Sequence, residues 1–265
     1  MRTILLGPQR FTVRATAALR SLDSAGPVAV INAGWEERED DITELDAALD
    51  HRSRNLRLYH RLTDVLTKDR TFAVAASRFR DRHDELTGLY RIRLDHAMKG
   101  VYAVQRQIPA HPSRARASAA YRALRDAVDG VRAIDDWYLA ELDLLYAELE
   151  SDGGVQTNGV AYVWPGGNVR TVVSAIRLFA VIIPSELPVV AWSAGAMVLT
   201  DRIALFHDFG PDGASETEIF DRGLGRVSDV VAFPHARRRL RLDDPERLAI
   251  LALRLDPAEC VLLDD

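Results

Sequence analysis

The eleven residues Val189 to Leu199, VVAWSAGAMVL, constrain the fold more than any other stretch of this chain. A short apolar run, Val189 to Trp192, is what a strand buried on both faces looks like. It stops at Ser193, and the small residues Ala194, Gly195 and Ala196 lead into a pattern that continues as a helix. A strand that turns straight into a helix through small residues has the form of a nucleophile elbow, which holds a serine hydroxyl up at the end of a sheet. Small side chains are required because the backbone passes close to its neighbours in so tight a turn. The same turn aims the first helical N–H groups at the place where an oxyanion would form. An ordinary strand–turn–helix with Ser193 as N-cap would carry the same letters, so the rest of the chain has to decide between the two.

A strand of this kind needs a sheet around it. Residues 3–6 (TILL) form a short apolar run closed by Gly7-Pro8. Val13, Ala17, Ala18 and Leu22 then recur at helical spacing, and Gly26-Pro27 precedes a second run, Val28 to Ile31. Strand, helix, strand implies a parallel pair, because parallel strands need a crossover connection. The pattern resumes after Asp152-Gly153-Gly154. Gly159 to Trp164 reads as a strand running into Pro165-Gly166-Gly167-Asn168, and Val169 to Phe179 as a helix. Beyond the elbow, Arg202 to Phe206 and Val227 to Phe233 read as strands, Asp244-Pro245-Glu246 as a helix start, and Val261 to Leu263 as a last strand. The predicted fold class is α/β, a mostly parallel sheet flanked by helices, built from residues 1–40 and 153–265.

Residues 41–152 are different in kind. Strand signals vanish, and apolar positions such as Ile42, Leu45 and Leu49, or Tyr121, Leu124, Val128 and Val131, keep a helical period. Pro109 and Pro112 bracket one break, and Ser53 and Lys68 to Arg70 mark two more. The expectation is an all-helical insertion of three or four long helices, packed as a hairpin or small bundle.

Composition narrows the function classes. A hydrophobic share of 48% with 28% charged residues fits a globular chain rather than a disordered one. The net charge of −5 favours neither nucleic acid nor an anionic membrane as partner. Cys260 is the single cysteine, which excludes an internal disulfide and any multi-cysteine metal site. No apolar run approaches the ~18 residues of a membrane span, and MRTILLGPQR reaches Gly7-Pro8 too soon for a signal-peptide core. The expectation is a cytoplasmic protein with no cofactor and no metal.

A serine nucleophile needs a base, and the base an orienting acid. Five of the seven histidines (His51, His60, His83, His96 and His111) lie in the helical insertion without ligand spacing, where surface or packing roles suit them. His235 follows an apolar run at the start of a loop, where a parallel α/β sheet places its site residues. It is a better base than His207, which stands next to Asp208. Gly166 and Gly167 let backbone amides approach a ligand closely, as an oxyanion hole requires.

The set GGN (166–168), WSAGA (192–196) and PH (234–235) resembles the dipeptidase E and cyanophycinase family of serine peptidases. Ser193 stands 25 residues after Asn168, and His235 stands 42 after Ser193; both intervals match that family. FDRGLGRV (220–227) is similar to the Gly-Leu-rich piece the family carries before its histidine strand. The resemblance covers residues 1–40 and 153–265. It implies a class I glutamine-amidotransferase-like fold with serine in place of cysteine, and a serine hydrolase acting on small or acidic (aspartyl) peptides. By the same resemblance Ser193 is the nucleophile, His235 the general base, and Gly167 and Ala194 the oxyanion-hole positions. Asp208 matches the triad acid by spacing, with Glu216 and Glu218 as rivals in the same region. Asn168, Arg170 and Arg237 fall where substrate is bound, and arginine suits a carboxylate there.

Three departures stand out: Ala191 for the first glycine of the elbow, Val169 where the family often has threonine, and His-Ala-Arg-Arg-Arg (235–239) around the base. A reading from a different class is a non-catalytic binding or scaffold protein of the same fold. There the helical insertion would engage a partner or build a homodimer.

Overall fold

The computed structural model describes residues 2–9, 14–22, 26–108, 114–153, 186–209 and 215–264, and among them the chain is mixed α/β with small parallel sheets. The N-terminal segment gives β1 (Thr3–Leu6), α1 (Ala15–Ser21) and β2 (Val28–Val30). A 3-10 segment over Ala33–Arg38 and the short α2 (Thr43–Ala48) lead to β3 (Ser53–Asn55). β3 pairs parallel to β2, with Val28 opposite Ser53. A strand at 53–55 departs from the all-helical expectation for 41–152. Ser-Arg-Asn carries no apolar alternation, so only its pairing with β2 reveals it.

The long helices follow: α3 (Leu58–Lys68), α4 (Arg70–Gln105) and α5 (Arg114–Gly153). The break between α3 and α4 falls at Asp69, whose carboxylate accepts the Phe72 N–H and so caps α4. α4 and α5 run antiparallel: Arg82 pairs with Glu148, Thr87 with Tyr138 and Tyr90 with Asp135, so partner numbers fall as the first numbers rise. Their apolar stripes meet along this seam, where the Tyr90 and Tyr138 rings stack with centroids 4.3 Å apart.

The α/β part then resumes with β4 (Val189–Trp192), α6 (Ala194–Val198), β5 (Arg202–Leu205), β6 (Glu218–Arg222), β7 (Val230–Pro234), α7 (Ala236–Arg239), α8 (Pro245–Leu255) and β8 (Glu259–Leu263). β4 is parallel to β1, with Thr3 opposite Val189 and Leu6 opposite Trp192. β7 is parallel to β8, and β5 and β6 form an antiparallel pair. Asp244 accepts the Arg247 N–H and caps α8, with Pro245 at the first helical position. The strand expected at 159–164 and the helix expected at 169–179 lie outside the described residues.

Alternation along β4 explains why its run is wholly apolar. Val190 and Trp192 join a cluster with Val28, Val30, Ala15 and Leu19, while Val189 and Ala191 join the larger core on the other face. That larger core also holds Tyr90, Leu94 and Tyr138 of the hairpin, with Ile203, Ile219 and Phe233 of the α/β part. The helical insertion is therefore packed onto the sheet region rather than projecting from it.

A buried polar knot fixes the docking. Arg254 of α8 donates through Nε and Nη2 to the two Asp135 oxygens at 2.7 and 2.6 Å. Its Nη1 donates to the Thr217 carbonyl at 2.6 Å, and its Nη2 also to the Tyr90 hydroxyl at 3.0 Å. Tyr90 in turn donates to Asp135 and accepts the Ile219 N–H. Burial works against the Arg254 charge, but Asp135 more than offsets it and raises the guanidinium pKa. Among the described residues, no helix is long and apolar enough to cross a membrane.

Candidate active site

Ser193 sits where β4 leaves the sheet. Its N–H still continues the ladder by donating to the Leu6 carbonyl at 3.1 Å. Its backbone then adopts φ 51°, ψ −123°, a conformation sparsely populated by any residue with a Cβ. The Ser193 carbonyl accepts the Ala196 and Met197 N–H groups, which starts α6 at once. Ala194, Gly195 and Ala196 are all buried. The Ala194 N–H stands at the N-terminal end of α6, where the first intrahelical bonds begin only at Ala196.

His235 occupies the matching place after β7. Its N–H donates to the Leu263 carbonyl at 2.9 Å, extending the β7–β8 pairing by one residue. Its backbone is left-handed, φ 61°, ψ 32°, and the chain turns directly into α7. The two turns bring the side chains together: Ser193 Oγ lies 3.3 Å from His235 Nε2. Both residues are half-buried.

The carboxylates offered for the acid have other partners. Asp208 accepts Arg247 Nη2 at 2.6 Å and Nε at 3.1 Å, and also the Arg241 N–H at 2.9 Å. Glu216 accepts the Tyr102 hydroxyl at 3.2 Å and lies 3.6 Å from Arg247 Nη1. Burial first, and the neighbouring Glu216 charge second, push the Tyr102 hydroxyl up to about 12. Glu218 is gripped by Arg91 of α4 through three contacts of 2.9–3.0 Å. The sequence pattern could not anticipate these arginines, since Arg91 lies in the insertion and Arg247 in a helix beyond the base.

Asp264 was missed by sequence reasoning. It directly follows β8, and its carboxylate accepts the Arg237 N–H at 3.1 Å, in the first turn after His235. The signal was its position, a carboxylate leaving the last strand of the sheet. Gly7 fits against the same point, since a Cβ there would stand 2.6 Å from the Asp264 carbonyl oxygen. Arg237 itself is exposed, with Nε 3.6 Å from Asp264. Gly167, Asn168 and Arg170 lie outside the described residues.

The other histidines have structural settings. His51 pairs with Asp46, His60 with the buried Glu39, and His83 stacks on Phe79. His207 is exposed after β5, and His96 is exposed on α4; His111 lies outside the described residues. Among the described residues no group of three or more His, Cys, Asp or Glu side chains is placed to hold a metal ion. A cavity of about 270 Å³ is lined by Met197 of α6, Arg239 of α7, Phe206, His207, Glu216 and Arg91; neither Ser193 nor His235 lines it. No protein-family model, curated protein or solved structure matches this chain.

Proposed function

We propose that this protein is a serine hydrolase, a peptidase acting on small or acidic peptides, with a fold of the class I glutamine-amidotransferase-like type related to dipeptidase E and cyanophycinase. The observation that carries the reading is the 3.3 Å approach of Ser193 Oγ to His235 Nε2 from two strained turns at strand ends. The approach is at the long end for a proton transfer, as is usual before a substrate closes the geometry.

The chemistry follows from the atoms. His235 Nε2 takes the Ser193 proton as Oγ attacks the scissile carbonyl carbon. The Ala194 amide, with that of Gly167, would stabilise the oxyanion of the tetrahedral intermediate. Collapse expels the amine, which leaves with the proton held on His235, and an acyl-serine remains. His235 then activates a water that hydrolyses the ester and returns the hydroxyl. Arg239 and Arg237 on and beside the α7 turn, with Asn168 and Arg170, are the groups suited to a substrate carboxylate. The binding-protein alternative draws less support, because the buried faces of α4 and α5 are filled by each other and by the α/β core.

The test is intact-mass labelling with a fluorophosphonate. One adduct on the wild type, absent from folded Ser193→Ala and His235→Ala, is expected. A folded wild type that takes no label refutes the hydrolase reading and returns the insertion to consideration as a partner or homodimer surface.

A further inference from the structure

The role of Asp208 can be read from where its bonds end, given the hydrolase reading above. α7 has four residues, too few to hold itself together, and His235 before it is in the left-handed region. Such a turn persists only where its surroundings determine it. β8 supplies one side, through the Leu263 carbonyl on the His235 N–H and Asp264 on the Arg237 N–H. Asp208 supplies the other. Its N–H donates to the Arg239 carbonyl at 2.7 Å, and its Oδ2 accepts the Arg241 N–H at 2.9 Å. The Asp208 side chain is 1% exposed and that of Arg247 14%, so the two-pronged ion pair between them is shielded from water. Arg247 is tied further, by Nη2 to the Ser215 carbonyl and by Nη1 to the Tyr102 hydroxyl of α4.

We propose that Asp208 and Arg247 form a clasp that positions His235, and that Asp208 acts through the far end of α7 rather than by touching the imidazole. Arg247 orients the carboxylate, the carboxylate and its own amide hold residues 239–241, and the imidazole is thereby set against Ser193. Tyr102 carries the clasp into the helical hairpin, which gives the insertion a part in the reaction without contributing a reacting group. Arg247 is then a positioning residue, though it lies outside every motif that marks the site in the sequence.

The experiment compares fluorophosphonate labelling rates, per folded molecule and across pH, for wild type, Asp208→Asn, Arg247→Ala, Arg247→Lys and the double variant Asp208→Asn/Arg247→Ala. Displacement of a reacting group by about 1 Å costs on the order of 100-fold, so Arg247→Ala and Asp208→Asn should each slow labelling by about that factor. The double variant should be no slower than the worse single one, because the pair acts as a unit. Arg247→Lys should recover part of the rate, since it keeps the charge and loses the fork. The pH midpoint of labelling should stay at the wild-type value in all of them. Arg247→Ala labelling at the wild-type rate overturns the clasp, all the more if Asp208→Asn alone falls on the order of 10⁴-fold, the mark of an orienting acid. A wild type that labels separates this failure from that of the hydrolase reading, which an unlabelled wild type would overturn together with the clasp.

Discussion

Replacing Asp135 with alanine should be among the most destabilising single changes available in this chain, and the reason is Arg254. The two side chains are 0% and 2% exposed, and four of the contacts that keep the guanidinium charged in a dry site lie within 3.0 Å. Asp135→Ala removes the only carboxylate among those contacts and leaves a buried cation with two neutral oxygens. Breaking a buried pair from one side costs about 3–5 kcal/mol. At roughly 2–3 °C per kcal/mol for a chain of this size, that corresponds to a fall in Tm of about 6–15 °C. Arg254→Ala should cost a similar amount, since Asp135 would retain only the Tyr90 hydroxyl. The double change Asp135→Leu/Arg254→Met removes both charges. It strands the Thr217 carbonyl and the Tyr90 O–H, at about 1–3 kcal/mol each, but leaves no buried charge unpaired, and should cost well under the sum of the two single variants. Urea and thermal unfolding followed by far-UV circular dichroism read all three. Because the knot joins α4, α5, β6 and α8, the wild type should unfold in one transition. Single variants within about 1 kcal/mol of wild type, or a double variant as damaging as the sum of its parts, would refute the account.

Two further outcomes follow from local geometry. Ser193→Gly should be more stable than Ser193→Ala by about 1–3 kcal/mol, because glycine adopts φ 51° without a Cβ clash; equal urea midpoints would contradict a strained elbow. Burial pushes the Cys260 thiol above its ordinary range, so native protein should alkylate with iodoacetamide more slowly than unfolded protein at neutral pH. The folded state holds this proton more tightly, so the thiol's contribution to stability is present at neutral pH and is lost as pH rises past the unfolded pKa.

Much of the scaffold was legible because its signals are local. TILL, VVAW and the Val261–Leu263 run are apolar strands whose partners are also apolar strands, and Asp244-Pro245 announces α8 by capping chemistry alone. Lys68 to Arg70 reads as a break because Asp69 is a cap. The acidic partners were harder to place, since what decides them is tertiary. The resemblance to the serine peptidase family puts Asp208, with Glu216 and Glu218 as rivals, at the place of the triad acid, and nothing near it in sequence reveals that Arg247, 39 residues on, holds both its oxygens. β3 was hidden for a similar reason: its three polar residues become a strand only through the register with β2.

Backbone strain alone does not single out Ser193. Glu36, in the 3-10 segment after β2, adopts φ 56°, ψ −124°, nearly the angles of Ser193. The segment around Glu36 is held by structural bonds. Asn32 and Asn55 donate to the Glu39 carbonyl, and the buried Glu39 carboxylate takes the Tyr59 and His60 N–H groups at the start of α3. The same backbone geometry thus serves anchoring at one strand end and presentation of a hydroxyl at another. What distinguishes Ser193 is that a second strand pair, β7 with β8, delivers an imidazole to it across 42 residues of chain. The helical insertion bears on that delivery, since Tyr90 and Asp135 fix α8 through Arg254 while Tyr102 reaches Arg247 on the same helix. α8 leads into β8, which accepts the His235 N–H, so the hairpin and the Ser193–His235 pair share one continuous support.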